Sequence, residues 1–139
     1  MMLGRVDHIG IAVKNIEKAI LFFEDVFESK LLRKNVIKGQ KLISGVMQLD
    51  NINVELMQST EDNSTIDKFI QKNGEGLHHL SIQLEEELDH FLEQLDSKNI
   101  KIMSKIENND YKIAFLHPKS TFGVLIEVIE RLNVNKEKE

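Results

Sequence analysis

A duplication inside the chain constrains its fold more than any other feature. Asp7-His8-Ile9-Gly10-Ile11 returns as His78-His79-Leu80-Ser81-Ile82, 71 residues on (79 − 8). Val54-Glu55-Leu56 returns as Ile126-Glu127-Val128, 72 residues on (127 − 55). Two copies of one unit normally pack about a pseudo-two-fold axis, because matching surfaces can then bury one another. Under such an axis equivalent positions converge. Each copy brings one histidine near its start and one glutamate near its end, so four ligand-type groups are expected to meet.

The periodicities between these anchors give both copies the same element order. Residues 6–13 alternate as a short strand, and Asn15 is positioned to cap a helix whose face carries Ile16, Ala19, Ile20, Phe23 and Phe27. Strand-like stretches follow over about 30–36, 40–49 and 53–59, with Asp50-Asn51 as the last turn. Ser64, with Asp67 three residues later, opens a linking helix over about 64–73 that Gly74 and Gly76 end. The second copy runs as a strand over 78–83 and a helix over about 86–97 with Leu88, Phe91, Leu92 and Leu95 on one face. Strands over 100–106, 112–117 and 123–129 complete it. The expectation is an α+β chain of two tandem βαβββ modules, about 4–59 and about 76–131, within one domain spanning 1–132.

Composition narrows the class. The 139 residues suit a single domain, and 41% hydrophobic with 29% charged residues is the balance of a soluble globule. No apolar run approaches the length of a membrane-spanning helix, and residues 1–10 lack the pattern of a secretory signal. The chain has no cysteine, which removes disulfides, thiolate ligands and a cysteine nucleophile together. A cytoplasmic location is therefore expected. A net charge of −5 with scattered lysines offers no basic face for nucleic acid. The charged stretch 133–139 is expected to be a solvated tail.

Strand parity selects the histidines. His8, Gly10 and Ala12 share one face of the first strand, opposite Ile9, Ile11 and Val13. In the later copy His79, Ser81 and Gln83 share the less apolar face, so His79 is the partner of His8 and His78 points away. Glu55 and Glu127 each alternate with apolar neighbours, and a carboxylate so placed is costly unless paired or metal-bound. Two imidazoles and two carboxylates suit Mn, Fe, Co, Ni or Zn, with two positions left open in an octahedral ion. The competing reading puts each histidine in a satisfied core and each glutamate in a salt bridge or at a sheet edge. His90 lies off the apolar helix face and reads as exposed. The loop Leu116-His117-Pro118-Lys119-Ser120 has two readings: a turn built on the only proline, or the mouth of the site, with Lys119 open to an anionic group.

The segments VDHIGIAV, VELM, GEGLHHLSIQ and FLHPKSTFGVLIEV resemble those of the vicinal-oxygen-chelate superfamily, which includes glyoxalase I, extradiol dioxygenases and bleomycin resistance proteins. Within it the chain most resembles the methylmalonyl-CoA epimerases, over about residues 6–129. That resemblance implies an open, cupped β-barrel and a divalent metal (Co, Mn, Ni or Zn, with Co favoured) on His8, Glu55, His79 and Glu127. It also implies a homodimer acting on an acyl-CoA, with Lys119 and Ser120 as candidate contacts to that molecule. By the same resemblance Glu127 is one catalytic base. Some epimerases carry a further acid on the third strand, but Leu42, Ser44 and Val46 occupy that stretch here, so Glu55 is inferred to be the second base. A glyoxalase I-type isomerase and a non-enzymatic small-molecule binder of the same fold are the competing functions.

Overall fold

The computed structural model describes residues 4–132, so the stretch 133–139 lies outside the described residues. The chain divides into two compact units, one of residues 8–78 and the other of residues 79–132 together with 4–7. The divisions fall just before His8 and just before His79, so the first strand of each copy runs from one unit into the other.

The unit of residues 8–78 holds β1 (Arg5–Ala12, from His8 on), α1 (Ile16–Phe27), β2 (Lys30–Ile37), β3 (Leu42–Gln48), β4 (Asn53–Ser59) and α2 (Thr65–Asn73). Its strands lie in the order β2-β3-β4-β1. β1 is parallel to β4, and the other neighbours are antiparallel. The other unit repeats the plan with β5 (Gly76–Gln83), α3 (Leu88–Glu93), β6 (Ile102–Glu107), β7 (Tyr111–Leu116) and β8 (Ile126–Arg131), in the order β5-β8-β7-β6. Here β5 is parallel to β8. A parallel pair needs a long crossover, and the helix with its two intervening strands supplies it in each unit. The first strand of each copy thus lies beside the last.

Local chemistry accounts for the helices. The Asn15 side chain accepts from the Lys18 N–H, and Ser64 accepts from the Asp67 N–H, so α1 and α2 open on the caps their sequences announce. Gln58 Oε1 accepts from the Ile16 N–H at 2.8 Å, and Glu130 Oε1 accepts from the Leu88 N–H at 2.9 Å. These residues stand three beyond Glu55 and Glu127, so the strand that carries each glutamate also ties down the start of its unit's helix. Ile16, Ile20, Met47, Val54 and Leu56 form one core. Leu84, Leu88, Leu95, Ala114, Leu116 and Val128 form that of the other unit. Gly45 lets α1 close on β3, since a Cβ there would stand 3.2 Å from Ile16 Cδ1. Arg131 clamps Asp7, the residue before His8, with Nε and Nη2 donating at 3.1 and 2.8 Å.

Three expectations need correction. Phe27 does not join the α1 core: it is 58% exposed and meets the rings of Phe22 and Phe23. Its angular position is right, but the helix ends there, at a left-handed Glu28 (φ 54°). The single helix expected over about 86–97 is instead the six-residue α3 followed by a 3₁₀ turn over Asp96–Lys98. Gln94, Leu95 and Lys98 donate three residues back, and a left-handed Asn99 closes the turn. The tighter winding still buries Leu88 and Leu95, so the hydrophobic spacing alone could not distinguish the two. The last strand begins at Ile126 rather than 123, because Phe122 (φ 62°) and Gly123 (φ 83°) are left-handed and cannot enter a ladder. No helix among the described residues is long and apolar enough to cross a membrane.

Leu56 is fully buried, so Leu56→Ala should cost about 2–5 kcal/mol in urea unfolding. Glu130→Ala removes the acceptor at the start of α3 and should cost about 0.5–2 kcal/mol. Glu130→Gln should be close to neutral, because the amide oxygen of Gln58 already does this work in the other unit.

Candidate metal centre

Parallel pairing of the first and last strand of each copy is what brings histidine to glutamate. In β1 and β4 the register sets Gly10 opposite Glu55, and His8 stands two residues before Gly10 on the same face. His8 Nε2 lies 3.3 Å from Glu55 Oε1, with the two side chains 13% and 19% exposed. In β5 and β8 the register sets Ser81 opposite Glu127, and His79 again stands two residues earlier. His79 Nε2 lies 3.6 Å from Glu127 Oε1, with side chains 3% and 7% exposed. The geometry repeats; the solvation does not.

Each glutamate has its second oxygen held by a serine. The Ser44 hydroxyl donates to Glu55 Oε2 at 2.6 Å, and the Ser81 hydroxyl donates to Glu127 Oε2 at 2.9 Å. Phe115, opposite Glu127 on β7, sets its ring edge-on to His79 at 6.2 Å between centroids. Burying a carboxylate costs free energy unless charge or hydrogen bonds compensate. Here an imidazole faces one oxygen and a hydroxyl satisfies the other. Each unit thus sets one imidazole beside one carboxylate, donors of the kind that divalent transition ions accept, so the pairs His8–Glu55 and His79–Glu127 suit the sort of metal that the resemblance implies.

His78 goes elsewhere. Its ring packs edge-on against Phe69 of α2, 4.9 Å between centroids. Burial holds its imidazole below the usual histidine range, and the nearby charge of Glu55 opposes that in part. His90 is exposed beside Glu86, with Nδ1 2.5 Å from the carboxylate. In the loop after β7 a 3₁₀ turn spans Pro118–Ser120, and His117 Nδ1 accepts from the Lys119 N–H at 3.1 Å. Lys119 is exposed, while the Ser120 hydroxyl accepts from the Lys101 N–H at 3.1 Å. Ser44 and Ser81 are the functional candidates that the sequence reading did not single out. Strand parity places Ser81 on the His79 face, but nothing local in the sequence ties either serine to a carboxylate.

The profile of the Glyoxalase/Bleomycin resistance protein/Dioxygenase superfamily matches residues 7–115, and the chain belongs to that superfamily. It is 33% identical over 131 residues to the uncharacterized protein YqjC of Bacillus subtilis, covering 92% of this chain and 93% of that one. It is 32% identical over 130 residues to the mitochondrial methylmalonyl-CoA epimerase of Mus musculus, covering 91% of this chain and 72% of that protein. The crystal structure of methylmalonyl-CoA epimerase from Mycobacterium tuberculosis superposes with a TM-score of 0.85 at 26% identity, over 94% of this chain and 90% of that one.

His8→Ala and His79→Ala should each weaken binding of a divalent transition metal, read by titration with Co(II). His78→Ala should leave that affinity unchanged and lower thermal stability instead, by about 0.5–1.5 kcal/mol for the lost ring pair. Loss of metal on His78→Ala with retention on His79→Ala would reverse the assignment.

Proposed function

We propose that this protein is a metal-dependent epimerase that interconverts (R)- and (S)-methylmalonyl-CoA. The observation that carries the reading is the His–Glu pair recurring at equivalent places in both units. It occurs in a chain whose relatives include methylmalonyl-CoA epimerases. The four residues His8, Glu55, His79 and Glu127 are proposed to hold one divalent ion between them, as the duplication and the resemblance imply. When bound, that ion would supply Lewis-acid stabilisation for the negative charge that develops on the thioester oxygen.

The remaining chemistry belongs to the chain. Inverting C2 means taking a weakly acidic proton from one face and delivering one to the other, which calls for two bases. Glu127 is proposed as one and Glu55 as the second, since Leu42, Ser44 and Val46 offer no acid on the third strand. Their surroundings suit different duties. The Glu55 side chain is 19% exposed and can exchange its proton with water, whereas that of Glu127, at 7%, is shielded. Lys119, exposed in the loop after β7, is proposed with Ser120 to meet the anionic part of the acyl-CoA. The homodimer belongs to the same proposal and is read by light scattering.

Proton NMR of methylmalonyl-CoA in deuterated water tests the reading: C2–H should exchange with Co(II) bound and stop when a chelator removes it. Absence of exchange by metal-loaded protein, with turnover of a glutathione hemithioacetal, would favour the glyoxalase I-type isomerase. Glu55→Gln and Glu127→Gln, checked for full metal occupancy, should each lose epimerisation by about 10²–10⁴-fold yet keep exchange from one enantiomer. Glu55→Gln epimerising at the parent rate would leave Glu55 a ligand only. Lys119→Ala should raise KM with kcat nearly unchanged.

A further inference from the structure

We propose that Ser44 and Ser81 are positioning residues for the two carboxylates, each occupying Oε2 of its glutamate so that Oε1 alone is offered to the metal. The inference rests on the metal-binding part of the proposed function and is independent of the substrate. Ser44 is 6% exposed and Ser81 is fully buried. A hydroxyl at such a place in a strand must be hydrogen-bonded to be tolerated, and both of these spend their proton on a glutamate. In both units Oε1 is the oxygen that faces the histidine and Oε2 the one that accepts from serine.

The strand register separates this arrangement from a relic of the duplication. Ser44 comes from β3, where it pairs with Met57, two residues beyond Glu55. The equivalent position in the other unit is Ile113 of β7, which pairs with Ile129, two residues beyond Glu127. Ser81 comes from β5, directly opposite Glu127. Its equivalent is Gly10 of β1, directly opposite Glu55. The hydroxyl therefore reaches one glutamate from the strand on one side and the other glutamate from the strand on the opposite side. Simple inheritance would have repeated the serine's position. What repeats is the hydrogen bond, reached by two routes, and the carboxylate is the feature common to both.

The bond has two consequences for a ligand. It fixes the carboxylate rotamer, so the ligating oxygen is in place before an ion arrives, and it disfavours chelation through both oxygens. Partners of this outer kind typically change metal affinity by about 10–100-fold when removed. The effect should be larger at Ser81, because water can less easily replace a lost donor beside a Glu127 side chain that is 7% exposed than beside Glu55 at 19%.

Titration of the full-length protein with Co(II), followed by calorimetry and by the visible absorption of the bound ion, tests the proposal. Ser44→Ala and Ser81→Ala should each bind Co(II) about 10–100-fold more weakly, Ser81→Ala the more so, with an altered Co(II) spectrum. Ser44→Thr keeps the hydroxyl and should restore both readouts. Ser81→Cys keeps the volume with a weaker donor and should fall between parent and alanine. The thermal midpoint of the metal-free proteins separates packing from positioning. Alanine variants that lose stability yet keep parent affinity and spectrum would make the serines packing residues and overturn the proposal. Failure of the parent to bind Co(II) would overturn it as well. Parent protein that binds Co(II) in the serine-dependent way but leaves methylmalonyl-CoA unexchanged would sink the epimerase reading and leave this one standing.

Discussion

A carboxylate buried in a strand is the constraint on which the rest of this structure depends. Glu127 is 5% exposed between Ile126 and Val128, in a strand that otherwise packs a core. Isolated there, its charge would cost more than a domain of this size has to spare. The fold meets the cost by pairing β8 in parallel with β5, which brings His79 and Ser81 to its two oxygens. Parallel pairing in turn forces a long crossover, and α3, β6 and β7 are that crossover. The βαβββ order is thus the route by which this chain sets a histidine beside a strand glutamate, and it takes that route twice.

The two copies share a geometry without sharing an environment. The pair in the unit of residues 8–78 has exposed fractions of 13% and 19%, against 3% and 7% in the other, and its serine bond is shorter, 2.6 Å against 2.9 Å. Two carboxylates with one architecture and different access to water suit the two-base inversion proposed above, because one can equilibrate with solvent while the other stays shielded. The ties from Gln58 to α1 and from Glu130 to α3 show the same economy: the strand that bears each glutamate also anchors its unit's helix. An error in strand register would upset the core and the site at once.

Much of this was legible in the chain itself, for reasons that are local. Side chains alternate across a strand with period two, so parity separated His79, which meets Glu127, from His78, whose ring lies against Phe69. Caps are contacts between neighbours in sequence, so Asn15 and Ser64 are recognisable from the chain alone. The internal repeat carried the element order. The length of the helix after β5 was not legible, because α and 3₁₀ winding bury nearly the same leucines, and the choice between them is made by hydrogen bonds that leave no mark on composition.

Sequence by itself thus set the order of the strands and the faces of their side chains, which follow from periodicity over a few positions, and the internal repeat singled out His8, Glu55, His79 and Glu127 as ligand-type residues. The tertiary structure alone decided what holds those residues. Ser44 and Glu55 are separated by 11 positions in sequence, and Ser81 and Glu127 by 46. Whether either pair meets depends on which strands lie side by side and in what register. A serine in a strand carries no sign of its partner, and the two serines here reach equivalent glutamates from opposite neighbouring strands, so even the repeat could not have announced them. Register is a property of the assembled sheet, fixed by core packing and backbone hydrogen bonds summed over every strand pair, and no short stretch of the chain contains it.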